Sequence, residues 1–488
     1  MSELAFKPAT ALCDDLAEGR VGCVDLLEHY LARTARYDEA LNAIVVRDLD
    51  LDRARKQAAE ADAALARGER WGPLHGLPMT VKESYGVAGL PTTWGMEHLA
   101  GQPGGETAVA VERLQAAGAV VFGKTNVPVL LGDWQSYNSI YGQTNNPWDV
   151  ARTPGGSSGG SAAALAAGLT GLEAGSDIGG SIRVPAAFCG VYGLKPTWGV
   201  IPLRGHTPVP GMLTPADIAV VGPLARSADD LDLALGVMAG ADGPEADGWQ
   251  LALPAEPRQR FSDFRVAVWL DAGQVPLQAG VGAAIQQVAD RLASLGASVS
   301  DQARPDVDPA EAWQLYVNLL YYVLGSRQPP DRVAEAAARY PALRVNDVSD
   351  EAMMDRGMMR PHREWLGDNE ARNRLRWRWQ AFFADWDLLL CPVFGTTAFP
   401  HDHSEPNESR QLLIDGEAHG YSEQLFWPGL TGVSYLPSVS APIGHDADGL
   451  PIGMQIVAPA YHERRAIQFA RLLADEIGGF TPPPGYAD

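Results

Sequence analysis

Cysteine is scarce in this 488-residue chain. Cys13, Cys23, Cys189 and Cys391 show no metal-type or disulfide-framework spacing, apart from the loose Cys13/Cys23 pair on helical ground. Reduced thiols in a cytoplasm are therefore expected. Long apolar runs are missing as well. No stretch reaches 18 apolar residues, and the opening MSELAFKPAT has no apolar signal region, so neither a membrane span nor export is expected. Positive charge is in short supply: 38 Lys and Arg face 60 Asp and Glu, a formal net charge of −22. So acidic a surface repels nucleic acid and anionic lipid, and no long basic patch offsets it, which excludes both as partners.

What is present suits a large enzyme. Hydrophobic residues make up 46% and charged residues 20%, enough for an extensive core and against disorder. The length allows two or three ordinary domains or one large α/β unit. The first 70 residues read as helices: Asp25 with Glu28 marks a start for DLLEHYLARTARY, and LDRARKQAAEADAALARG stops at Gly68. From Trp71 the texture changes to glycine, proline and short apolar runs, which read as buried strands between functional loops. Residues 240–262 read as a surface connection. FRVAVWL, GVGAAIQQVADRLASLG and ASVS then make a strand–helix–strand unit. Residues 305–430 read as irregular, rich in Met, Trp and Arg. LPSVSAPIG and LPIGMQIVAP flank the turn HDADG, and HERRAIQFARLLADEIG is a closing helix.

Three motifs invite functional readings that their surroundings oppose. GAVVFGKT, residues 118–125, matches the phosphate-loop pattern GxxxxGK[ST], with Lys124 and Thr125 as nucleotide ligands. That mechanism needs a loop curled around phosphates. Ala119, Val120, Val121 and Phe122 belong inside a strand instead, and Pro128 follows closely, so a buried strand is expected. GGSSG, residues 155–159, matches the GxSxG elbow centred on Ser157, but a proline-punctuated loop, NNPWDVARTP, precedes it where the elbow needs a strand. HDH at 401–403 offers His401 and His403 as a metal pair. It is acidic, follows proline and lacks helical spacing, so a solvated loop is expected.

Three further segments belong together: GLPMTVKES with Lys82, TPGGSSGGSAAALAAG with Ser157, and GSDIGGSIRVPAAFCGVYGLKPT with Ser181. A lysine is mostly a solvated charge and a Gly/Ser run mostly a tether. Lys82, however, lies in an apolar strand-like run, and the Gly/Ser run feeds directly into an Ala-rich helix, which makes it a shaped turn. Ser181 follows two glycines where a strand meets a helix, a place suited to a nucleophile. A serine hydroxyl needs a base, and no histidine lies between His98 and His206.

On these segments the chain resembles the amidase signature family of serine hydrolases, from about residue 70 to 240 and again at LLLCPVFGTTAFP and GLPIGMQIVAP. The resemblance implies a single α/β domain over residues 1–488: a large mixed β-sheet core covered by helices on both faces. Residues 70–240 would form its catalytic core and 305–430 a variable substrate-covering segment. It implies a Ser–Ser–Lys relay and an acyl-enzyme. Ser181 would be the nucleophile, Ser157 the bridging serine on a cis peptide after Gly156, and Lys82 the base. A base must be neutral, and bringing lysine from about 10.4 to near 7.5 costs about 4 kcal/mol, which apolar burial can supply. Without side chains in the way, the N–H groups of Ile178, Gly179, Gly180 and Ser181 would converge as an oxyanion hole. Asp177 and Arg183 bracket the nucleophile. A structural ion pair is preferred there over a substrate clamp.

No cofactor is implied, and a homodimer is common in the family. The expected substrate is a neutral, fairly hydrophobic amide, anilide or carbamate, because the net charge of −22 opposes anions. Met353, Met354, Met358, Met359, Trp365 and Trp427 would supply an adaptable lid. The alternative is an amidotransferase A-type subunit that passes ammonia to a partner. Those subunits resemble GSDTGGSIRQP, where this chain has Ile178 and Val184 in place of Thr and Gln. A second departure is Glu83-Ser84, where many relatives have Asp-Asn after the lysine.

Overall fold

Two sheets frame the site in the computed structural model, which describes residues 2–47, 52–102, 104–209, 211–273, 275–344, 347 and 349–487. The smaller sheet holds β1 (Ile44–Arg47), β2 (Pro78–Lys82) and β3 (Val120–Thr125) in the order β1-β3-β2. β2 runs parallel to β3 and sets Lys82 opposite Thr125. Every residue of β2 and β3 is buried, which is why apolar residues dominate both and neither alternates.

The larger sheet is built from β4 (Glu173–Asp177), β5 (Tyr192–Lys195), β6 (Val220–Ala225), β7 (Arg265–Val268), β8 (Ser298–Ser300), β9 (Leu388–Pro392), β10 (Ser438–His445) and β11 (Pro451–Val457). Their order is β8-β7-β9-β11-β10-β5-β6-β4. β8 and β9 run parallel to β7, and the other neighbours are antiparallel, so the sheet is mixed. The parallel β7–β8 pair is the expected strand–helix–strand unit, since parallel strands need a crossover, here helix Ala279–Ser294. The β10–β11 hairpin turns where Asp448 and Leu450 both donate their N–H to Asp446 Oδ1 at 2.9 Å.

Side-chain alternation separates the two faces of this sheet. Val439, Ala441, Ile452, Met454 and Ile456 enter the main core with helices Ala228–Met238, Ala279–Ser294 and Glu463–Ile477. Ser440 and Gln455 pair on the opposite face, beneath helix α2 (Arg183–Cys189) and its neighbour α1 (Gly159–Ala166). Gly453 lets α2 approach: a Cβ there would lie 2.4 Å from Ala187 Cβ. The α/β fold with helices on both faces is as expected.

Residues 305–430 depart from the expectation of irregularity. Through residue 385 they are mostly helical, as α3 (Pro309–Gly325), α4 (Pro330–Arg339), α5 (Asp350–Met359) and α6 (His362–Asp385). Asp308 caps α3 by accepting the N–H groups of Ala310 and Glu311 at 2.8 and 3.1 Å, and Ser349 caps α5. In α6 a buried row of Leu375, Trp379, Phe382 and Phe383 is interleaved with exposed Trp377 and Arg378, which hides its period in the sequence. Helices α3, α5, α6 and α7 (Phe426–Gly432) close a second core around Tyr316, Trp379 and Trp427. Trp427 is fully buried, and is core rather than lid. Met353, Met354 and Trp365 pack at the edge of that core. All four cysteines are buried and free, and burial pushes the Cys13 and Cys391 thiols up to about 12. No helix among the described residues is long and apolar enough to cross a membrane.

Candidate active site

Lys82 ends β2 with a wholly buried side chain. Its Nζ donates to Ser157 Oγ at 2.6 Å, to Ser176 Oγ at 3.0 Å and to the Ser176 carbonyl at 3.4 Å. Burial holds its ammonium well below the usual lysine range, against the nearby carboxyls of Asp177 and Glu173. Neither carboxyl opposes strongly. Burial pushes Glu173 up to about 7, so near neutrality it carries only about half its charge, even with the Thr80 hydroxyl donating to it at 2.6 Å. Burial alone would raise Asp177 too, but the Arg183 guanidinium and the Ile182 N–H hold it down at about 2, and Arg183 neutralises its charge.

Ser157 enters the site on a cis Gly156–Ser157 peptide, just before α1. A Cβ at Gly156 would lie 2.4 Å from the Asp133 carbonyl, so the loop is wedged against its neighbour as only glycine permits. One residue on, Ser158 N–H donates to the Ser181 carbonyl at 3.1 Å, and Ser158 Oγ donates to the Ser176 carbonyl at 3.3 Å. The segments of Lys82, Ser157 and Ser181 thus meet. Ser181 is nearly buried, in the turn between β4 and α2.

That turn is held from both sides. Tyr316 Oη donates to the Ile178 carbonyl at 3.0 Å and Trp134 Nε1 to the Gly179 carbonyl at 2.8 Å. In a planar trans peptide the following N–H points the other way, so Gly179 N–H faces away from Tyr316 and Gly180 N–H away from Trp134. Gly180 N–H is engaged: it donates to Asp177 Oδ1 at 2.9 Å. This corrects the expected four-donor hole, in which Gly180 was to serve. Gly180 acts as a turn residue instead, with φ of +97°. Arg183 is wholly buried, and its donors go to Asp177, Pro428 O, Thr431 Oγ1 and Gln455 Oε1, the last at 2.6 Å. It is the structural ion pair: each of its three nitrogens is engaged and none of the side chain is exposed.

The rival motifs resolve into scaffolding. Lys124 lies on strand β3 and donates to the Pro91 carbonyl and Thr92 Oγ1, while the Thr125 hydroxyl meets Ser161 Oγ at 2.8 Å, so no phosphate loop exists there. No strand directly precedes Ser157, as the elbow would require. His403 stacks on Tyr137 with ring centroids 3.6 Å apart, and among the described residues no group of three or more His, Cys, Asp or Glu is placed to hold a metal. Glu83 accepts the N–H groups of Thr93 and Trp94, which shows what that departure from the family pattern does locally.

Sequence reading missed several neighbours. Glu173 carries the signal that marked Lys82, a charge inside an apolar strand, and could have been found by it. Ser176 and Tyr316 carry none. Nor does His206, which reaches Ser84 Oγ at 2.9 Å and packs on Tyr85 and Trp94. Its imidazole is pushed down to about 3 by burial and by the charges of Lys82, Arg327 and Lys124.

Comparison with known proteins bears on the family and the fold. The chain matches the Amidase family model over residues 25–467. The A-type subunit of glutamyl-tRNA(Gln) amidotransferase from Anaeromyxobacter sp. (strain K) is 33% identical over 504 residues, covering 96% of each chain. An inhibitor-bound structure, from work on a vestigial protein complex and the origins of an s-triazine catabolic enzyme, superposes with a TM-score of 0.80 at 29% identity, covering 98% of this chain and 100% of that one. Peptide amidase from Stenotrophomonas maltophilia gives 0.75 at 27% identity, covering 98% of both chains. The chain belongs to the amidase family, whose members carry the amidase signature.

Proposed function

We propose that this chain cleaves the carbon–nitrogen bond of an amide through an acyl-enzyme on Ser181. The observation that carries the reading is the 2.6 Å bond from buried Lys82 to Ser157, in a loop itself bonded to the Ser181 turn. Neutral Lys82 takes the Ser157 proton while Ser157 takes that of Ser181. Ser181 Oγ then attacks the carbonyl carbon, and the developing oxyanion is received by the N–H groups of Ile178, Gly179 and Ser181. The proton returns along the same chain to the leaving nitrogen as the C–N bond breaks. Water, deprotonated by the same relay, then hydrolyses the acyl-enzyme to the free acid. Ser176 holds Lys82 Nζ in place, and the Asp177–Arg183 pair fixes the turn.

The finer reading is a hydrophobic amide, anilide or carbamate. It is supported by Met212, Val323 and Trp365, which line a cavity of about 410 Å³ between residues 212–217 and the ends of α3 and α6. The expected neutrality of the substrate rests only on net charge, whose field is screened within about 8 Å at physiological ionic strength. It therefore bears on approach and says little about a bound group.

A second reading, the amidotransferase A-type subunit, has more direct support among curated relatives. Ile178 and Val184 speak against it. Purified protein offered free glutamine and an aryl amide separates the two: the hydrolase reading expects rapid aryl amide turnover and little ammonia from glutamine. Glutamine as the better substrate, together with co-purifying subunits, establishes the second reading.

A further inference from the structure

The 410 Å³ cavity is bounded by residues 212–217, the C-terminal end of α3 and the first turn of α6. Two of its walls lead to the candidate site. Met212 lies six positions after His206 in the chain, and His206 is bonded to Ser84, two residues beyond Lys82. Helix α3 carries Tyr316 on the Ile178 carbonyl and Val323 seven residues later on the same helical stripe, and Arg327 follows two residues past its end at Gly325.

Four charged or titratable side chains line the cavity; one is Tyr322, whose hydroxyl burial and the nearby Asp368 push up to about 12. Asp217 is bound by Arg372 at 2.6 Å and by the Tyr435 hydroxyl. His362 is stacked on Trp365, ring centroids 5.6 Å apart. The Arg327 guanidinium is half-buried and, among the described residues, has neither an ion-pair nor a hydrogen-bond partner. Buried cations are normally paired. Burial lowers the pKa of this one with no carboxylate to offset it, and its charge reaches His206.

We infer that the cavity binds the far end of the substrate and that Arg327 receives a carboxylate there. A planar guanidinium matches a carboxylate with two parallel hydrogen bonds, while Met212, Val323 and Trp365 take the apolar chain that leads to it. The substrate class becomes a hydrophobic amide bearing one remote carboxylate. At 1.5 Å per residue, Val323 lies about 10 Å along the helix from Tyr316 and Arg327 follows beyond the helix end, so several methylenes separate that carboxylate from the scissile carbonyl. The inference rests on the acyl-transfer reading for its chemistry, not for its binding.

The test uses acyl anilides of increasing chain length, each ending in a carboxylate or in a methyl group. Equilibrium binding is measured on Ser181→Ala protein with and without Arg327→Gln, and kcat/KM on the parent. At the best length the carboxylate is expected to bind roughly 10- to 100-fold tighter than its methyl partner, with Arg327→Gln erasing that preference and leaving methyl binding unchanged. Arg327→Lys should restore part of it. Such a preference without turnover in the parent sinks the hydrolysis reading and upholds the site. Equal binding of the two series, or an equal loss in both on Arg327→Gln, overturns the site.

Discussion

Five lysines occur in the chain: Lys7, Lys56, Lys82, Lys124 and Lys195. Three are buried, and burial lowers each, with Lys124 brought to about 8 and Lys195 to about 7. Lys195 donates to backbone carbonyls and Lys124 to a carbonyl and the Thr92 hydroxyl, and both hold loops, whereas Lys82 meets two serine hydroxyls. Only the neutral amine accepts a proton, so kcat/KM is expected to rise with pH along a limb set by Lys82 and to level off below the ordinary value of about 10.4. Lys82→Met should remove nearly all activity and the limb with it. A persistent limb in that variant moves the base elsewhere.

Glu173 gives a second pH effect, of opposite sign. Its folded value, raised to about 7, exceeds the 4.5 of a free glutamate, so the native state alone keeps the proton between them. Its stabilising share is complete below about 4.3 and is lost as pH rises through about 7, at most about 3 kcal/mol. Glu173→Gln should flatten the decline of Tm between pH 5 and 8, and an unchanged slope contradicts this. Lys82 and Ser181 were legible because each breaks its local pattern. Gly180 was misread because its N–H goes to Asp177, a contact made only once the turn has closed.

At the scale of elements, the helix–strand contact under the nucleophile turn depends on Gly453. A methyl there meets Ala187 at 2.4 Å, and overpacking of this kind costs about 1–3 kcal/mol. Gly453→Ala is expected to lower Tm and kcat together, because α2 carries Arg183 directly behind Ser181. Gly236→Ala, on an exposed helical position with nothing within 4 Å, should hold or raise Tm. Equal behaviour of the two variants would show that α2 does not press on β11. The strands, the β7–β8 crossover and the closing helix were readable from apolar runs and turn residues. Helices α3 to α6 were not, because buried Trp and Phe alternate with exposed Trp and Arg on α6, and its apolar row emerges only against the second core.

At the scale of the molecule, strand order departs from chain order. β10 and β11, near the C-terminus, lie between β5 and β9, so both halves of the chain build one sheet. That interleaving lays α3 and α7 on the Ser181 turn, with Tyr316 at Ile178 and Pro428 at Arg183. Sequence order cannot reveal such contacts, which is why Tyr316, His206 and Arg327 were missed while the core motifs were found. The central claim concerns one hydroxyl among these packed layers, and covalent labelling of the intact chain tests it most directly. Treated with a fluorophosphonate, the parent protein is expected to gain one adduct, located on Ser181 by peptide mass spectrometry, and Ser181→Ala to gain none and to lose at least about 10³ in kcat. An adduct on Ser157 alone, with Ser181→Ala still turning over, would contradict the account.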